Sequence, residues 1–175
     1  MIKFYIFLLT FFVFTSNAYS NNVVVIDINY LINNSKHFIE ISEKINNSQQ
    51  EYKSKFINIE KNLYKKKEEL ENLKLILNED EFNIKKNLYY NEVANFENDV
   101  ANFNNHFEKE IINIKNVIFL KISELIQNYA TINQIDLILD KNQYLISSDK
   151  INISEVIFLE LEESIIDLEF TKYEN

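Results

Sequence analysis

The feature that most constrains this fold is a heptad pattern of seam residues, mostly apolar, that runs twice along the chain. Seam positions recur at alternating steps of four and three over residues 45–77 and again over residues 82–107, after which the phase slips by one and the pattern continues to residue 125. This spacing is typical of a coiled-coil seam, so it predicts two long helices. Residues 78–81, which read Asn-Glu-Asp-Glu, are the polar stretch between the helices and the predicted tip.

The two helices are predicted to pair as one antiparallel hairpin over residues 41–129. Facing seam positions of such a hairpin have residue numbers with a constant sum, and both Leu70 with Tyr89 and Phe56 with Phe103 sum to 159. At about 1.5 Å of rise per residue, the first helix of this arm extends on the order of 55 Å. An arm of that length cannot wrap around a compact core.

Lysine occupies two positions of the predicted seam. In the predicted register Lys66 faces Val93, and Lys86 faces Leu73. An ammonium group at a seam reaches water only by loosening the packing around it, which lowers the local stability. The distal half of the arm is therefore predicted to flex.

Composition excludes several classes of function. The 175 residues include no Gly and no Cys, so the sequence offers neither a glycine-rich phosphate loop nor a thiol that could pair. The two histidines, His37 and His106, fall several turns apart in the predicted hairpin and cannot share a metal or a proton relay. We therefore expect no enzyme activity, no cofactor and no metal. With Gly absent, Asn is expected at left-handed turn positions.

The first 18 residues have the pattern of a secretory signal peptide. Lys3 precedes an apolar run over residues 4–14, and Ser16 and Ala18 place small residues at the two positions that a signal peptidase reads. The run is shorter than the roughly 20 residues that a membrane-spanning helix needs. Cleavage after Ala18 leaves 17 Lys against 27 acidic residues, a net charge of −10. This negative charge and the predicted export both disfavour nucleic acid as a partner.

The segments that flank the arm predict a small body of strands. Residues 19–40 contain a nearly continuous apolar run, from Val23 to Ile28, that is typical of a buried strand. The fold class is therefore α+β, a small β-strand body that carries a long antiparallel helical-hairpin arm. Because a body with so few strands buries little surface alone, we expect self-association.

The chain after the arm is predicted to return to this body. Residues 130–166 are predicted to form a β-hairpin, with strands at residues 135–139 and 144–146, and a closing amphipathic helix with Ser154 as its N-cap. Residues 167–175 form an acidic tail that is predicted to be frayed.

Two sets of residues on the predicted arm are candidates for binding. Apolar residues outside the strict seam, here called the distal apolar set, either mark an interaction site or widen the seam. A basic cluster near the tip, here called the tip lysine cluster, either contacts anionic headgroups or a negatively charged partner or is an ordinary solvated face. The distal apolar set is Ile57, Tyr64, Leu75, Ile76, Ile84, Leu88 and Tyr90; the tip lysine cluster is Lys65, Lys66, Lys67, Lys74, Lys85 and Lys86.

Several strings resemble the Skp/OmpH family of periplasmic chaperones. Val23-Val24-Val25-Ile26-Asp27 is similar to the opening of that family, and Asn152-Ile153-Ser154 is similar to its Asp-Ile-Thr start of the last helix. Residues 135–140 and 144–148 resemble its closing strand pair. The similarity covers about residues 23–165. It implies a homotrimer with a central body of strands, from which three arms extend to enclose unfolded outer-membrane proteins in the periplasm of a Gram-negative bacterium.

Two features depart from the family pattern. Members are commonly basic with positive arm tips, whereas residues 53–86 of this chain carry nine Lys against seven acidic residues; the residues after Ile166 have no counterpart in the pattern. The resemblance favours an ATP-independent holdase that prevents the aggregation of unfolded outer-membrane proteins. The alternative is a structural coiled-coil adaptor or spacer that docks a partner in the cell envelope.

Overall fold

The computed structural model describes residues 22–174, so the predicted signal peptide lies outside the described residues. The long helices pair as an arm, and the remaining elements form a body at its base, which confirms the α+β fold with a helical arm. In chain order the elements are β1 (Val23–Ile26), α1 (Ile28–Asn34), α2 (Lys36–Leu73), α3 (Glu79–Asn133), β2 (Leu137–Asp140), two single 3-10 turns (Lys141–Gln143 and Asp149–Ile151) and α4 (Ser154–Glu163).

Helices α2 and α3 are the two sides of the arm, with 38 and 55 residues. The rings of Phe56 and Phe103 meet edge to face with their centroids 5.2 Å apart, which confirms the predicted register at this pair. Towards the base, Ile118 and Ile122 are completely buried, whereas Leu63 is the one buried residue among residues 57–102. The arm therefore has a closely packed base and a thinly packed distal half.

The turn of the arm lies at residues 74–78, slightly before the predicted tip. The Asn78 side chain accepts a hydrogen bond from the Glu81 N–H at 2.9 Å and caps α3. Glu79, Asp80 and Glu81 then occupy the first helical turn, where negative charge is favourable because the helix dipole is positive at that end. The polar stretch therefore starts the second helix, and the chain reverses just before it.

The sheet differs from the predicted one. β1 and β2 pair in parallel, with Val23 opposite Leu137, and residues 144–146 form no strand, so the predicted β-hairpin is wrong. Parallel pairing requires a long crossover connection, and the arm itself provides it. On the other edge of β1, the Ile153 N–H donates to the Val25 carbonyl at 2.9 Å, so β1 lies between β2 and the start of α4.

Two local signals shape the ends of the long helices. Ser35 is completely buried, and its hydroxyl donates to the Ile32 carbonyl and accepts from the Phe38 N–H, so one residue ends α1 and starts α2. Gln134 ends α3 in the left-handed region, with a φ of 53°, and it is the one residue with positive φ in the part of the chain that the structure describes. The expectation that Asn would take such a position is wrong here.

The core joins the body to the base of the arm. Ile26 of β1, Leu31 of α1 and Leu161 of α4 are each at most 1% exposed and belong to one cluster with Ile118 and Ile122 of α3. The start of α4 differs in detail from the prediction: Ile153 takes the N-cap position without a side-chain cap, and Ser154 is the first helical residue.

The tail after α4 is ordered against the arm, so the prediction that it is frayed is wrong. Ile166, Leu168 and Phe170 pack partly buried against the core, and Tyr173 is only 8% exposed. No helix or strand forms over residues 164–174, and side chains hold the segment in place. The sequence signal for this was the alternation of apolar residues at 166, 168 and 170.

Candidate functional site

All seven members of the distal apolar set are exposed. Their exposed fractions range from 56% for Tyr90 to 90% for Leu75. A two-helix arm has one narrow seam, so apolar residues outside that seam have no third element to cover them. Contiguous exposed apolar surface is typical of interaction sites, so the distal apolar set stays a candidate for binding.

Between these residues the arm carries shallow apolar clefts. One cleft near the tip is lined by four apolar or aromatic and four charged side chains: Leu70, Leu73, Leu88, Tyr89, Lys66, Lys85, Glu69 and Glu92. A larger cleft of about 420 Å³ lies at mid-arm and is lined by Phe56, Ile57, Phe96, Val100 and Phe103 among others. Both are open grooves along the helix pair, which suit many weak contacts better than one enclosed ligand.

All six members of the tip lysine cluster are exposed as well. The Lys66 ammonium lies 2.7 Å from Glu92 Oε1 on the opposite helix, and the Lys86 ammonium lies 6.0 Å from the centre of the Tyr90 ring. Both ammonium groups therefore lie at the edge of the seam, because the long side chains reach outward to water. Lys66 links the two helices, a role that its seam position did not predict.

Residues that carried the family resemblance form a polar network in the body. The Ser154 hydroxyl accepts a hydrogen bond from the Asp27 N–H at 2.8 Å and donates to Asn152 Oδ1 at 2.7 Å. Asp140 Oδ1 accepts from the Ile28 N–H at 3.2 Å. These side chains connect β1, β2 and the start of α4, so their part in the motif is structural.

Asp27 is the charged centre of this network. Its carboxylate caps α1 by accepting from the Tyr30 N–H at 2.9 Å, and it accepts from the Lys141 ammonium at 2.7 Å. Partial burial alone would raise the pKa of the Asp27 carboxyl, but the hydrogen bonds from Lys141 and Tyr30 outweigh it and hold this pKa below its ordinary value. The hydrogen bond to the Asp27 carboxylate and its negative charge raise the pKa of the Lys141 ammonium.

The two histidines are far apart, and each is tied to the C-terminal part of the chain. His37 Nε2 lies 3.2 Å from the Leu161 carbonyl, and His106 Nε2 lies 2.7 Å from the Thr171 carbonyl. Since a carbonyl oxygen only accepts, both rings donate from Nε2. They are therefore positioning groups for α4 and the tail, a role that the sequence did not indicate.

Residues 22–174 contain no group of three or more His, Cys, Asp or Glu side chains placed to hold a metal ion. Within the same range, no helix is both long enough and apolar enough to cross a membrane.

Comparisons with known proteins agree with this architecture. The family model described as "Outer membrane protein (OmpH-like)" matches residues 22–161. No curated protein matches the sequence. The fold is similar to the crystal structure of an OmpH-like protein from Caulobacter crescentus CB15, for which an outer membrane chaperone role has been suggested; the TM-score is 0.73 at 11% identity, over 88% of this chain and 91% of that one. The chain belongs to the OmpH-like outer membrane protein family.

Proposed function

We propose that this protein is an ATP-independent holdase that binds unfolded outer-membrane proteins in the periplasm and prevents their aggregation. Membership of the OmpH-like family and the fold shared with the Caulobacter crescentus protein support a chaperone role in general. The observation that carries the specific proposal is the exposure of the whole distal apolar set on an arm with open clefts.

The proposed clients suit such a surface. Membrane-spanning β-strands alternate apolar and polar residues, so an unfolded barrel protein exposes many short apolar stretches and no single long one. Each contact with an exposed Ile or Leu contributes about 25 cal/mol per Å² of apolar surface that it buries. Many weak contacts of this kind hold a chain without fixing its conformation. The tip lysine cluster adds attraction for negative charge, which salt screens.

We further propose that the body self-associates as a trimer. Leu145 and Ile146 project from the body with 105% and 90% exposure, and Leu137 of β2 is 48% exposed. Within residues 22–174 the sheet of this body has two strands, which is too few for independent stability without further packing. Association through these residues would bury them and set three arms around one space, in which a client is held.

The test is suppression of aggregation of a denatured β-barrel outer-membrane protein, followed by light scattering. We expect suppression without ATP at a ratio near one client per trimer. Ile76→Ser together with Ile84→Ser, which changes two members of the distal apolar set, should weaken suppression. The matched control is Ile39→Ser with Ile112→Ser, two isoleucines on the proximal arm with 48% and 50% exposure.

The same assay separates the other readings. A structural adaptor that only docks a partner's helices would leave the barrel protein to aggregate at every ratio. Equal loss of suppression in both double variants would contradict the assignment to the distal arm. Vesicles that contain anionic lipid, compared with neutral ones, test whether the tip lysine cluster also binds headgroups; loss of that binding in Lys65→Gln with Lys67→Gln would assign it to the cluster.

A further inference from the structure

The tail binds the arm through alternate residues. Ile166, Leu168 and Phe170 are partly buried, whereas the residue that precedes each of them, at 165, 167 and 169, is exposed. A period of two is that of an extended chain with one apolar edge. The tail therefore shows, inside one molecule, how the base of the arm holds an extended amphipathic segment.

The last contact of the tail is an aromatic socket. The Tyr173 ring packs against Tyr52 of α2 and Phe103 of α3, with centroid distances of 5.2 and 5.5 Å. Its hydroxyl donates to the Asp99 carbonyl at 3.3 Å. The Tyr52 hydroxyl donates to the Tyr173 carbonyl. Both arm helices thus contribute to one socket for a large aromatic side chain.

Next to this socket, two side chains make hydrogen bonds to the backbone of a single residue. His106 Nε2 donates to the Thr171 carbonyl at 2.7 Å, and Glu110 Oε2 accepts from the Thr171 N–H at 2.9 Å. Every residue except Pro has the same backbone N–H and carbonyl, so these two hydrogen bonds do not depend on the Thr171 side chain. The surface of α2 and α3 around Tyr52, Phe103, His106 and Glu110, here called the groove, can therefore hold an extended segment of another sequence.

The way the tail is attached permits exchange. Beyond Ser164, the described residues of the tail make no backbone-to-backbone hydrogen bond to the rest of the chain. The family match ends at residue 161, so the groove lies within the matched region and the tail lies outside it. The tail thus lies outside the matched region and sits in a groove built by residues inside it.

From this arrangement we propose that the groove between α2 and α3, at Tyr52, Phe103, His106 and Glu110, is a binding site for extended segments of unfolded outer-membrane strands, and that the tail is an internal occupant that such segments displace. The inference rests on the proposed function and names how part of a client is held. Strands of outer-membrane barrels supply the required pattern, because apolar residues alternate with polar ones and aromatic residues flank the apolar band.

The first experiment measures binding of a fluorescent peptide with the sequence of residues 165–174 to the full chain by anisotropy. Tyr173→Ala should bind it about tenfold or more tightly than the parent, because the parent groove is open only in the fraction of molecules whose tail is released. A peptide with the same residues reordered into one apolar block should not bind. Tyr30→Ala, which removes a tyrosine from the body, is the matched control and should behave as the parent does.

The second experiment uses the unmodified chain and does not depend on any variant folding. Addition of a denatured barrel protein should speed amide hydrogen exchange at residues 168–173 and should displace the peptide from Tyr173→Ala. If the parent and Tyr173→Ala bind the peptide equally, or if the barrel protein stays soluble on the arm while the tail keeps its protection, the groove proposal is overturned and the holdase stands. If the barrel protein aggregates regardless but the peptide still binds as expected, the holdase fails and the groove remains a site for extended peptides.

Discussion

The ring of Tyr173 stands perpendicular to the ring of Phe103, with an interplanar angle of 90° and the two centroids 5.5 Å apart. Phe103 also contacts Tyr52, Phe56 and Phe107, at centroid distances between 4.9 and 6.0 Å. Such edge-to-face pairs add stability beyond the area they bury. The tail therefore completes an aromatic cluster at the point where the packed base of the arm gives way to its thin distal half.

Replacement of Phe103 by Ala should strongly destabilise the arm. Phe103 is 4% exposed, and removal of a buried phenylalanine ring costs about 3–5 kcal/mol in the free energy of unfolding. The midpoint of urea unfolding should fall accordingly. Phe119→Ala, on the same helix at 41% exposure, is the control and should have a much smaller effect. Equal losses in the two variants would show that the cluster does not stabilise the arm.

Strongly alkaline solution should release the tail. Burial raises the pKa of the Tyr173 hydroxyl above its ordinary value of 10.0, and the nearby Asp99 charge raises it further. A neutral Tyr173 therefore contributes stability in full below the unfolded pKa, and this contribution is lost as pH rises through the higher folded pKa. We expect the melting temperature of the parent to fall more steeply than that of Tyr173→Phe as pH rises above about 10. Parallel curves for the two proteins would contradict the prediction.

Acid should weaken the body at Asp27. Because the folded pKa of this carboxyl is depressed, its contribution is present above the ordinary pKa of 3.8 and is lost as pH falls through the folded value. Asp27→Asn keeps a capping oxygen but cannot ionise, so its stability should change less than that of the parent over this acid range. Asp27→Ala also removes the cap of α1 and should cost about 1 kcal/mol more in unfolding free energy at neutral pH.

Amide hydrogen exchange should divide the arm into two parts. Residues 63–93 should exchange faster than residues 111–125, because Leu63 is the single buried residue of the distal stretch, whereas Ile114, Ile118 and Ile122 are buried at the base. Uniform protection along the hairpin would contradict this gradient.

Replacement of the two edge lysines should slow that exchange. Lys66→Leu with Lys86→Leu gives up an exposed ion pair with Glu92, which is worth about 0–1 kcal/mol, and adds two apolar side chains to the seam. We expect slower exchange over residues 63–93 and a higher melting temperature. Because the arms are proposed to surround the client, a stiffer distal arm should also narrow the range of client sizes that the protein protects from aggregation. Unchanged exchange in the double variant would show that these lysines do not limit the packing.

A charge at Ile146 should prevent self-association. Ile146 is 90% exposed on the body, so Ile146→Asp removes no contact within one chain and should leave its fold intact. Burial of an unpaired carboxylate in an interface is costly. We expect light scattering to give the mass of a trimer for the parent and of a monomer for the variant. Asn128→Asp, at an exposed position near the end of α3, is the control. A monomeric parent at micromolar concentration would remove the shared cavity from the proposed function.

The arm was predictable because its pattern is local and repeated. Heptad spacing on both sides of one polar stretch predicts the two helices, and the constant sum of facing positions predicts the contact between Phe56 and Phe103 that the structure shows. The exposure of the distal apolar set followed from the same register, because a pair of helices has only one seam. The strings at Val23 to Asp27 and at Asn152 to Ser154 pointed to the family without revealing what these residues contact.

Only the tertiary structure decided how the strands pair and where on the arm the tail binds. The bond between Asp27 and Ser154 joins residues 127 positions apart, and the bond between Tyr52 and Tyr173 joins residues 121 apart. No periodicity reports on such pairs, so a short apolar run after the arm was equally compatible with a hairpin and with the parallel partner of β1. In the tail, the alternation of apolar residues covers only residues 166–170, which is too short to predict where the segment binds. Its position is set by the contacts of Tyr173 with Tyr52 and Phe103. Local periodicity fixes helices and their register, whereas contacts between distant segments depend on the shape that the whole chain has already taken.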